Sequence, residues 1–160
     1  MHKEAFDSLV SEELYQVFLF SCPATFPFSL GYHPWIVINR KGKIARYEIL
    51  QRVNKSQKNL GHLHLDLLPP YLGINCLPLS REVRWNSNLL SKIEGEENST
   101  AFKIGLFMEN IVDLYPYRET YHVLPGPNSN TFIQWIIDKF PKSGFKLSWR
   151  AIGKNYKPQE

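Results

Sequence analysis

Leu63, Leu65 and Leu67 alternate with His62, His64 and Asp66, which predicts a half-buried strand across 60–68 that ends at Pro69-Pro70. Residues 14–21 and 33–39 are short apolar runs rich in β-branched and aromatic residues, and they predict buried strands. Residues 44–53 return after the turn Arg40-Lys41-Gly42-Lys43, so 33–53 predicts a β-hairpin. Behind Ser99 as N-cap, the stripe Ala101, Ile104, Met108, Ile111, Val112, Tyr115 has helical spacing and predicts a helix stopped by Pro116. Phe132, Ile133, Trp135, Ile136, Ile137 and Phe140 predict a second helix over about 130–140, stopped by Pro141. Fainter signals predict a short helix or loose end in the first dozen residues, a strand at 81–85, a helix near 88–94 and a brief strand at 121–124. The sum is an α+β fold, an antiparallel sheet packed against a few helices, in a single domain over 1–160 with its core at about 14–156.

Composition narrows the class. Hydrophobic residues at 43% against 21% charged exclude a disordered chain, and 160 residues are enough for one sizeable core. The formal charge of +4 is spread along the chain, densest at Arg40, Lys41, Lys43 and Arg46, and no nucleic-acid motif accompanies it. Nucleic acid is therefore not an expected partner, whereas a small molecule or a peptide is. Cys22 and Cys76 lack the spacing of a disulfide scaffold or a zinc cluster. No apolar run is long enough to span a bilayer and the first twenty residues do not read as a signal peptide, so a cytoplasmic location is expected.

The chemistry concentrates before the last helix. Leu124-Pro125-Gly126-Pro127-Asn128-Ser129-Asn130-Thr131 is a rigid polar turn that delivers Ser129 to a helix start, where backbone N–H groups lack partners and the dipole is positive. His33 opens a strand, and a strand histidine facing a hydroxyl at a helix start suits nucleophilic catalysis. Glu48 and Asn39 are the candidates to orient the imidazole. The competing reading makes Ser129 an ordinary helix cap and His33 a structural group. His62, His64 and Asp66 share one strand face and could hold a divalent metal, against the plainer reading of a solvated face. Arg46 and Glu48 point to one face of their strand and could form a buried polar pair.

The strings His33-x-Trp35-Ile36, Arg46-Tyr47-Glu48, Tyr115-Pro116-Tyr117, Pro125-Gly126-Pro127-Asn128-Ser129-Asn130-Thr131-Phe132 and Ala151-Ile152-Gly153-Lys154-x-Tyr156 resemble a bacterial family of uncharacterised domains over roughly 20–156. That family implies no activity, though some of its members are membrane-attached or exported. Asn128 to Phe132 is also similar in layout to the Asn-Cys-Glu-His-Phe helix start of permuted papain-like proteins of the lecithin–retinol acyltransferase and NlpC type, with Ser129 in place of cysteine. This second resemblance implies a permuted papain-like fold and an acyl, amide or peptide hydrolase or acyltransferase. His33 would then be the base, Ser129 the nucleophile and Glu48 the orienting group. Asn128 and Asn130 would line the oxyanion side, Trp35 and Arg46 would contact substrate, and no cofactor is implied. The alternative is a non-catalytic ligand-binding module or pseudoenzyme with the same cleft.

Overall fold

The computed structural model describes residues 1–55, 59–80 and 82–157. Five strands form one antiparallel sheet: β1 (Tyr15–Pro23), β2 (Tyr32–Arg40), β3 (Lys43–Ile49), β4 (Leu63–Leu65) and β5 (Asn88–Gly95), in the order β4-β3-β2-β1-β5. The longer helices are α2 (Thr100–Glu109) and α4 (Ser129–Lys139). A short α1 (Lys3–Asp7), a single turn α3 (Ile111–Leu114) and a 3₁₀ turn at Pro141–Ser143 complete the elements.

β1 and β2 are buried on both faces, which is why they read as continuous apolar runs. Val17, Leu19, Ile36, Ile38, Tyr47 and Ile49 face one way, onto Ile104 and Met108 of α2 and Phe132, Ile133 and Ile136 of α4. Phe18, Phe20, Cys22, Trp35 and Val37 face the other way, beneath Phe6 of α1 and the loop residues Tyr71, Ile74 and Trp85. Arg40 pairs with Lys43 across a two-residue turn in which Lys41 and Gly42 both have positive φ (51° and 88°), the geometry that suits a tight hairpin.

Five predicted elements differ. The segment 88–94, expected to be helical, is the edge strand β5 along β1, because pairing with a buried neighbour outweighs its weak local helical preference. The strand over 60–68 shrinks to Leu63–Leu65, since Asp66 turns out of the extended region (φ 50°) and its carboxylate accepts from the Arg46 N–H at 2.6 Å. The helix behind Ser99 breaks at Asn110 into α2 and α3. Residues 121–124 form no strand, and of 81–85, residue 81 lies outside the described residues while Arg84 makes only an isolated bridge with Asn75.

Candidate active site

The start of α4 is heavily braced by side-chain hydrogen bonds. Asn128, not Ser129, is the N-cap. Its Oδ1 accepts from the N–H groups of Asn130 (2.9 Å) and Thr131 (3.3 Å), and Thr131 Oγ1 accepts in return from the Asn128 N–H at 3.1 Å. Asn128 Nδ2 donates to the carbonyls of Val123 (3.0 Å) and Ile152 (3.1 Å). Asn130 Nδ2 donates to those of Tyr32 and Ile152, both at 2.9 Å, and Thr131 Oγ1 donates to that of Gly153 at 2.7 Å. The C-terminal string Ala151-Ile152-Gly153 is thus clamped onto the helix start, and α4 onto the first residue of β2. Gly153 permits the approach: its φ is +92°, and a Cβ there would lie 2.3 Å from Asn128 Nδ2. Replacing Asn128 by Ala removes the cap and strands the Val123 carbonyl, while that of Ile152 keeps the Asn130 amide. We expect a loss of about 2–4 kcal/mol, read as a lower urea midpoint with the slope unchanged.

Ser129 is the exception in this bracing. Among the described residues, neither its hydroxyl nor its N–H has a hydrogen-bond partner, although the side chains of Asn128, Asn130 and Thr131 on either side are engaged in holding the framework. The residue is 4% exposed and lines a cavity of about 720 Å³.

His33, also 4% exposed, lines the same cavity. Strand parity places it with Trp35, Arg46 and Glu48, on the sheet face away from α4. It shares a cavity with Ser129 because β2 begins at the edge where the α4 start is fastened to the Tyr32 carbonyl. His33 Nε2 lies 3.1 Å from Glu48 Oε2, which also accepts from Arg46 Nη2 at 2.8 Å. Glu48 and Arg46 are fully buried. Burial alone would push the Glu48 carboxyl up; the Arg46 guanidinium and the His33 hydrogen bond overcome it and hold the group down at about 2. An ionised carboxylate only accepts, so the His33 Nε2 carries a proton, and Nδ1 is the ring nitrogen left without a partner among the described residues. No hydrogen bond joins His33 to Ser129.

The remaining candidates have other work. Trp35 and Arg46, expected to contact substrate, do not line the cavity: the guanidinium lies over the indole, 4.3 Å from its centroid, and Arg46 Nη1 donates to the carbonyls of Pro69 (2.8 Å) and Leu72. The Arg46–Glu48 pair therefore sets the charge beneath His33. Asn128 and Asn130 do line the cavity, but their amide N–H groups are already engaged, so the unengaged donor at the helix start is the Ser129 N–H. Asn39 lies at the hairpin, donating to Ser11 and Gln16 and accepting from the Gly42 N–H, away from His33.

His62, His64 and Asp66 form no metal-binding group, and none of three or more ligands occurs among the described residues. His62 Nδ1 is bonded to the Leu50 carbonyl (2.9 Å), and His64 Nε2 to that of Arg52 (3.0 Å). Of the three, His64 is buried, which lowers its pKa, whereas His62 is half-buried and Asp66 exposed. Cys22, beside His33 on β1, is not a rival nucleophile, because burial pushes its thiol up to about 12 and it does not line the cavity.

A family model described as a protein of unknown function (DUF3750) matches residues 15–156. The chain belongs to this family. The DUF3750 match takes in all five strands, α2, α4 and the tail that clamps the helix start, so the whole candidate site lies within it. No curated protein and no solved structure matches this DUF3750 chain. No helix among the described residues is long and apolar enough to cross a membrane.

Proposed function

We propose that this protein is a permuted papain-like hydrolase or acyltransferase that acts on an acyl, amide or peptide bond through Ser129, His33 and Glu48. The observation that carries the proposal is the unengaged hydroxyl and N–H of Ser129 on a cavity shared with a carboxylate-bound imidazole. Substrate seated between them brings His33 Nδ1 into reach of Ser129 Oγ, a contact that in such sites tightens on binding. Oγ attacks the carbonyl carbon, and its proton passes to Nδ1. The imidazolium is stabilised by Glu48, and the Ser129 N–H at the positive end of α4 faces the developing oxyanion. His33 then returns the proton to the departing alcohol or amine as the C–O or C–N bond breaks, leaving an acyl-serine. Water or a second alcohol or amine takes the acyl group by the reverse sequence.

A binding module without chemistry is the second reading, favoured by the lack of a direct His33–Ser129 bond. Turnover of p-nitrophenyl esters of increasing chain length separates the two. The proposal expects rates above those of the Ser129→Ala protein, and equal rates for both proteins contradict it.

A further inference from the structure

The cavity opens through a collar of apolar side chains. Phe26, Phe28, Leu77, Leu124 and Ile152 line it and are substantially exposed. They come from four loops that hydrogen bonds tie into one rim. The Phe26 N–H donates to the Cys76 carbonyl (2.9 Å), Arg150 Nε to that of Leu30 (2.8 Å), and Asn128 Nδ2 to those of Val123 and Ile152. In two of the same loops Leu30 is 80% exposed and Leu79 98% exposed. Large aliphatic side chains standing in water around a single opening do not follow from core packing, and such a patch marks a surface that meets another apolar phase.

The charge at this mouth is of one sign. Arg52 and Arg84 line the cavity, and neither makes an ion pair among the described residues. The chain as a whole carries +4. Apolar side chains that enter the acyl region, flanked by free guanidinium groups at headgroup level, fit an anionic bilayer.

We infer that the collar docks on an anionic lipid surface and that the cavity admits an acyl chain from it, the head group resting on Arg52 and Arg84. This names the substrate class of the proposed site and rests on that reading for its chemistry. The docking itself needs no nucleophile.

Flotation of the full chain with vesicles tests it, comparing phosphatidylcholine alone with phosphatidylcholine containing phosphatidylglycerol. We expect retention on the anionic vesicles only, retained in Ser129→Ala. Retention falls at least about tenfold in Phe26→Asp combined with Leu124→Asp, and about fivefold for each of Arg52→Gln and Arg84→Gln. These side chains make no framework hydrogen bond, and each variant's unfolding midpoint checks its fold. No retention, equal retention on neutral vesicles, or a collar buried instead in a dimer of this chain overturns the docking. Vesicle binding without ester turnover refutes the catalytic reading alone, and turnover without vesicle binding refutes the docking alone.

Discussion

Replacing Ser129 by Ala is expected to leave stability within about 0.5 kcal/mol of the parent while removing at least about a thousandfold of any ester turnover. The stability half follows from geometry: the hydroxyl has no partner to lose, and the cap belongs to Asn128 with Thr131. The activity half follows from chemistry, because among the described residues no other hydroxyl lining the cavity that holds His33 sits at a helix start. The neighbouring positions provide the contrast. Asn128→Ala and Thr131→Val remove framework bonds and should lower the urea midpoint, whereas Ser129→Ala should not. Parallel denaturation and turnover measurements on the three variants distinguish a helix-start serine that holds the fold from one that is exposed to a ligand.

The second large effect concerns the charge beneath His33. Arg46→Met leaves Glu48 buried with its main counter-charge gone and should cost about 3–5 kcal/mol, while Arg46→Met with Glu48→Leu should recover much of that loss. The pH dependence has a definite sign. The folded carboxyl titrates at about 2 against an ordinary value of 4.5, so between these values the unfolded chain binds the proton that the folded one refuses. The stability it contributes is complete above the ordinary value and drains as pH falls toward about 2. Glu48→Gln should flatten this acid limb in a series of urea midpoints. It should also depress turnover, because a neutral amide cannot fix the tautomer or stabilise the imidazolium.

Much of this was legible in the residues. The buried strands, the hairpin and α4 follow from apolar runs, a glycine turn and a helical stripe, because there local preference and tertiary packing agree. β5 was not legible: Asn88 to Gly95 has no strong strand composition, and its pairing with β1 is a long-range event that no local window contains. The site was readable in part. Asn-Ser-Asn before an apolar helix marks a helix start, but which of the three residues caps it depends on one residue of phase. The clamp from Ile152 and Gly153, more than twenty positions away, decides that phase. That Arg46 and Glu48 could form a buried pair was readable from strand parity; what holds the guanidinium there, the indole of Trp35 and the carbonyls of Pro69 and Leu72, comes together only through folding. The apolar mouth had no sequence signature, since Phe26, Leu77 and Leu124 lie in separate loops and become neighbours through folding.

The most direct measurement is covalent. Incubation of the folded protein with a fluorophosphonate, followed by peptide mapping, should place one adduct on Ser129, absent from heat-denatured protein and lost in a folded His33→Ala variant. An unlabelled Ser129, or one labelled equally well without His33, would contradict the claim that this imidazole activates this hydroxyl.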